Sequence, residues 1–279
     1  MIYGYYLHPR VVIRPEKGTD RWQFLLTKRF PPKEDAVVFE DSEQSVEGID
    51  DFTEKDRIEG VTITGFGKAK DEELNSKWQT CSVDFLKTTF ASFLRKKLCK
   101  DPSLRVITGF TKEINVLFKI WRETMSEVVF PEVEMSYCGI EGKLYLMSLA
   151  KKGLVRSLTL YGSWPKGARN VVLTYISSTT DARLTLTKKN RIDIDKEVFD
   201  LMIDKFIKGD FNYIRGMYGE LEVDIGYLKS IYAERLTTND LGYLTWRSPV
   251  VERMVFRIQF KRKMCLKCGV ELSIFSMLP

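Results

Sequence analysis

With 279 residues, 44% of them hydrophobic and 12% aromatic, the chain has material for one large domain or two modest ones, and its composition excludes collagen-like, coiled-coil and wholly disordered classes. Its formal charge of +6 is uneven: residues 33–59 hold eleven acids against Lys33, Lys55 and Arg57, a net −8, which leaves +14 on the other 252 residues. No apolar run reaches the roughly 18 residues of a membrane-spanning helix, no signal-peptide pattern opens the chain, and five scattered cysteines form no disulfide framework, so cytoplasm or nucleus is the expected location.

Taken in order, residues 1–7, 10–14 and 21–30 read as strands, the last with Trp22, Phe24 and Leu26 on one face, and Pro31-Pro32 ends them. This predicts an N-terminal strand unit over 1–32. The acidic stretch 33–59 has few large apolar residues and no periodicity, and reads as a flexible linker to a main domain over 60–279. Residues 61–66 form a strand by composition. Apolar residues at 83, 86, 90, 93, 94 and 98 have helical spacing, with Ser82 as N-cap and Arg95, Lys96 and Lys97 in the last turn, so residues 82–98 are expected to be helical and to stop at Asp101-Pro102. Ile114, Leu117, Phe118, Trp121, Met125 and Val128 favour a second helix over 111–129.

From 132 the expectation changes to strands at 133–138, 143–150, 154–161, 171–176 and 182–187, joined by glycine- and proline-bearing turns. Residues 193–208 fit a helix that starts after Asp193 and Asp195 and stops at Gly209, and 220–236 fit another. Alternation at 254–260 and 270–274 predicts a closing hairpin with a basic turn. No fixed internal period stands out. Strands mostly beside strands with a few separate helices argue an α+β fold: an antiparallel sheet of meander and hairpins with packed amphipathic helices.

Few residues offer catalytic chemistry. With one histidine, His8, hydrolases that need paired histidines are excluded, and a triad would have to relay its proton through His8 alone. Cys265-Leu-Lys-Cys268-Gly269 is half of a zinc ribbon, and a structural zinc would have to recruit two more ligands from Cys81, Cys99, Cys138 and His8. Glu132, Glu134 and Glu141-Gly-Lys143, read as one strand and its hairpin partner, resemble the acid and lysine set of the PD-(D/E)xK nucleases, with glutamate where the first aspartate is usual. That resemblance implies metal-dependent nucleic-acid cleavage. Otherwise no cofactor is expected.

The basic residues carry the main functional expectation. Lys151, Lys152, Lys166, Arg169, Lys188, Lys189, Arg191, Lys261, Arg262, Lys263 and Lys267 all fall in predicted turns, with Trp164 beside two of them. Gathered on one rim of an antiparallel sheet, they would bind phosphates while Trp164 stacks or inserts. In class, and in the order strand 61–66, helix 82–98, strands 132–187, the chain is similar to matrix-type structural proteins of negative-strand RNA viruses. No residue motif carries the likeness, and Pro31-Pro32-Lys33-Glu34 stands where a Pro-Pro-x-Tyr motif would. The resemblance implies a non-catalytic virion protein that joins nucleic acid or ribonucleoprotein to an anionic membrane and self-associates. A viral movement-type protein that escorts nucleic acid has the same charge requirements.

Overall fold

Alternation sets the first strands: Val11 and Ile13 are fully buried while Arg10, Val12 and Arg14 between them are partly exposed. The computed structural model describes residues 10–29, 43–46, 48–65, 78–108, 111–180, 182–187, 192, 194–219, 221–239, 243–260 and 270–276. The chain forms two compact units, residues 1–132 with 138–145, and residues 133–137 with 146–279. The fold is mixed α/β.

In the first unit, β1 (Arg10–Pro15) lies antiparallel to β2 (Trp22–Arg29), whose other edge takes β3 (Glu43–Val46) and, further along, β5 (Gln79–Cys81). On its far side β1 runs parallel to β4 (Ile58–Thr64), and β4 parallel to β6 (Leu98–Ile107). The strands before and after the acidic stretch therefore share one sheet. Residues 48–59 pack with it: Phe52 is 7% exposed and meets Phe93 edge-on at 5.3 Å, and Lys97 Nζ donates to the Thr53 carbonyl at 2.6 Å. This differs from the expected division into a 1–32 unit, a 33–59 linker and a 60–279 domain. Residues 33–42 and 47 lie outside the described ones, as do 1–9.

Helix α1 begins with Val83–Phe85, passes through a π-helical turn at Leu86–Phe90 and ends with Ala91–Lys97. Ser82 Oγ accepts from the Phe85 amide at 3.1 Å, the cap its position implied. Helix α2 (Lys112–Thr124) is capped in the same way by Thr111. Its Phe118 and Trp121 pack on Tyr145. Strand β6 was not foreseen, because Asp101-Pro102 reads as a stop. The proline instead sits where the β4–β6 register slips, between the Ile58↔Leu98 and Gly60↔Ser103 pairs, a place where its missing N–H breaks no ladder bond.

The second unit holds β7 (Glu132–Ser136), α3 (Ile140–Lys151, its first residues belonging to the first unit), β8 (Ser157–Tyr161), α4 (Arg169–Ser178), β9 (Ala182–Leu186), β10 (Ile194–Asp195), α5 (Lys196–Lys208), β11 (Phe211–Gly219), β12 (Leu221–Glu222), α6 (Ile225–Ser230), β13 (Leu236–Asn239), β14 (Tyr243–Arg247), β15 (Met254–Phe260) and β16 (Val270–Ser276). Its sheet runs β7-β8-β9-β11-β16-β15-β14-β13, and β10 pairs with β12 apart from it. β8, β9 and β11 are parallel, whereas β11, β16, β15, β14 and β13 follow one another antiparallel.

The antiparallel meander expected over 132–187 is not what forms. Residues 143–150 and 171–176, read as strands, are helical. In α3 the buried residues are 142, 145, 146, 149 and 150, and around α4 they are 168, 171, 172, 175 and 176. Both sets have the i, i+3, i+4, i+7, i+8 spacing of a helix, which overrides the strand propensity of Val171, Val172 and Ile176. The element order on which the matrix-type likeness rests changes accordingly. A regularity invisible in the letters also emerges: β7, β8 and β9 begin at 132, 157 and 182, one strand and one helix every 25 residues.

Helix α5 answers its prediction, starting with Asp195 Oδ1 accepting from the Val198 amide at 3.0 Å and ending at Gly209. Its Phe199 and Phe206 pack against Trp246 and Phe256 of the antiparallel strands. The closing hairpin pairs β15 with β16 as expected, but its turn, 261–269, lies outside the described residues. Of the helix expected at 220–236, the described residues are helical in α6 and in a 3-10 turn at Ala233–Arg235.

Candidate functional site

Each sheet buries one side, and strand alternation fixes what the other side carries. In the first unit that open side has three rows in register: Arg10–Gly60–Ser103, Val12–Thr62–Arg105 and Thr64–Ile107. None of these rows holds an acid. Beyond Arg10 and Val12 on β1 comes Arg14, whose Nε donates to Gln23 Oε1 at 2.8 Å and whose guanidinium stands 3.8 Å from the centre of the Trp78 ring. Trp78 is partly exposed, and its indole N–H is buried without an acceptor among the described residues. Leaving such a donor unmet costs about 1–3 kcal/mol. Gly60 keeps the first row close, since a Cβ there would lie 2.7 Å from Ser103 Oγ.

The second unit repeats this pattern. On β8 and β9, Leu158, Leu160, Leu184 and Leu186 are buried, while Ser157 and Thr159 face solvent in register with Arg183 and Thr185. Across the antiparallel strands the open side carries Glu271 and Ser273, then Gln259 and Arg257, then Tyr243, Thr245 and Arg247. The Arg257 guanidinium is 5.0 Å from the centre of the Tyr243 ring. Arg183 and Arg247 are exposed, with no side-chain partner among the described residues. The acids of this side are Glu132 and Glu134 on β7 and Glu271 on β16.

Of the residues expected to form a basic rim, those described are not gathered. Lys151 and Lys152 are exposed at the end of α3, before β8, whereas Lys166 is exposed after it. A five-residue strand, about 17 Å long, separates them, because a helical crossover leaves a strand from the end opposite to the one it enters. Trp164 is fully buried, donates its indole N–H to the Met135 carbonyl at 3.2 Å and meets Tyr137 edge-on. It is core and cannot stack on a ligand. Arg169 pairs with Asp195 and Glu197, tying the start of α4 to the start of α5. Burial alone would raise the Asp195 pKa, but the hydrogen bond from Arg169 and the Val198 N–H outweigh it and hold the carboxyl below the usual range. Lys188, Lys189, Arg191, Lys261, Arg262, Lys263 and Lys267 lie outside the described residues.

The nuclease arrangement fails on geometry. Glu141 and Lys143 lie in the first turn of α3, not on a hairpin strand, and the Glu141 carboxylate pairs with Arg122 at 2.8 Å. Among the described residues no three His, Cys, Asp or Glu side chains stand together to hold a metal. Cys265, Cys268 and His8 lie outside them. Burial pushes the Cys81 and Cys138 thiols up to about 12, so both are protonated at neutral pH. Among the described residues no helix is long and apolar enough to cross a membrane.

The chain matches no family model, no curated protein and no solved structure. The open-side arginines were missed because the basic residues were sought in turns. The available signal was an arginine set between buried apolar residues, as in Ile13-Arg14-Pro15 and Phe256-Arg257-Ile258.

Proposed function

We propose that this chain is a non-catalytic protein that binds a polyanion, nucleic acid or ribonucleoprotein, along the open sides of its sheets. The observation that supports this most is a recurrence: each unit, taken by itself, sets three arginines and one arginine–aromatic stack among serine and threonine hydroxyls on the side opposite its core. Guanidinium groups pair with phosphate oxygens in a fixed fork, and hydroxyls add neutral hydrogen bonds. The +14 outside residues 33–59 supplies the long-range attraction. A matrix-type or movement-type role would use the same surface.

The test is binding of the full chain to labelled nucleic acid across a salt series. The double variant Arg183→Glu, Arg247→Glu should lower affinity at least tenfold and make the dependence of log affinity on log salt shallower by about two phosphate contacts. Unchanged affinity and slope overturn the reading.

A further inference from the structure

Resting on that reading, we infer that the polyanion is a single-stranded nucleic acid, with Tyr243 and Trp78 as the rings on which its bases stack. Three observations separate this from a duplex or a membrane. First, the arginine rows run across the faces of multi-stranded sheets, which are neither a helix nor the two-stranded ribbon that a major groove admits. Second, both rings are partly exposed and each has a guanidinium stacked on it, Arg14 on Trp78 and Arg257 on Tyr243. An arginine that holds a ring in place beside cationic and hydroxyl groups makes a platform for an unpaired base, whose phosphate is then within reach of the neighbouring arginines. Third, in the second unit the apolar neighbour of the charged rows, Val255 beside Arg247, is fully buried and cannot insert into a membrane. The positions beside Arg183 and Arg257 include the hydroxyl residues Ser157, Thr185, Thr245 and Ser273, and Trp164 is buried.

The hydroxyls give the sheet donors and acceptors for base edges, which a duplex keeps paired and a single strand exposes. The two rings lie in different units, so each is a separate stacking position. Loss of one should leave the other working.

The experiment uses the full chain and three probes: a labelled homopyrimidine single strand, a duplex of the same length, and vesicles of phosphatidylserine in phosphatidylcholine. The single strand should bind at least tenfold more tightly than the duplex at physiological salt. Tyr243→Leu should weaken single-strand binding about tenfold with an unchanged salt slope, since a stacking contact is lost and no phosphate contact is. Tyr243→Phe should retain affinity, and Trp78→Leu and Trp78→Phe should behave as a matching pair. An equal or stronger affinity for duplex or vesicles overturns the inference, as does a Tyr243→Leu protein that binds like the unaltered one. If Arg183→Glu, Arg247→Glu still weakens binding in that case, the polyanion reading stands and only the single-strand assignment fails. If neither variant has any effect on any probe, the reading itself has failed.

Discussion

The two units reach similar open faces by different routes. In the first, β1 sits between an antiparallel neighbour and a parallel one, and its sheet takes in strands from either side of the acidic stretch. In the second, strand and helix alternate every 25 residues before the chain turns to antiparallel hairpins. The first unit's charged rows contain no acid, and its stacked aromatic is a tryptophan. The second has exposed arginines, a tyrosine and three glutamates on the same side. Shared placement with unlike topology indicates that the arginines answer to the surface, since a packing requirement would follow the topology.

Trp164 and Trp78 are the sharpest way to break this comparison. Trp164→Ala should cost about 3–5 kcal/mol in urea unfolding, the range for an emptied core position, whereas Trp78→Ala should cost under about 1.5 kcal/mol. Equal losses would mean that Trp78 too is a core residue. The glycines come next. Gly153 has φ +68°, and a Cβ there would lie 2.4 Å from the Ser178 carbonyl oxygen, so Gly153→Ala should destabilise the second unit by about 3 kcal/mol. Gly60→Ala meets only a movable hydroxyl, and about 1 kcal/mol is expected in the first.

Acid should also tell the units apart. The folded Asp195 titrates below its unfolded value, so its contribution is present above the ordinary carboxylate range, about pH 4, and is lost as pH falls through the lowered folded value. Thermal melts taken downward from pH 5 should show the α4–α5 contact weakening, and Arg169→Ala should remove that pH dependence. Smallest of all, Lys151→Ala with Lys152→Ala should change stability by no more than about 0.5 kcal/mol and nucleic-acid affinity less than Arg183→Glu does.

Much of the fold was legible wherever local signals agreed. Ser82 announced a helix start that its cap confirms, and alternation at 254–260 fixed a strand. The errors fell where one stretch satisfies two periods. Tyr145, Leu146, Leu149 and Ala150 are a helical set, yet Leu144, Leu146 and Ser148 also alternate, and only packing decides between them. That choice then misplaced the site. The arginines lie on strand faces and not in turns, so Arg183 and Arg257 share a face while Lys151 and Lys166 stand at opposite ends of β8. Trp164 had the letters of a surface aromatic, and nothing local announced the Met135 carbonyl that receives its N–H.

The 25-residue step from β7 to β8 to β9 makes length an adjustable property. A strand with its following helix is a module that meets chiefly the modules before and after it, and its stability is close to a sum of its own terms and those of its two seams. A chain in which residues 157–181 occur twice should still fold, with one more parallel strand carrying one more Ser157 and Thr159 in step with their neighbours. Its footprint on a polymer would then lengthen by one strand spacing, about 4.8 Å.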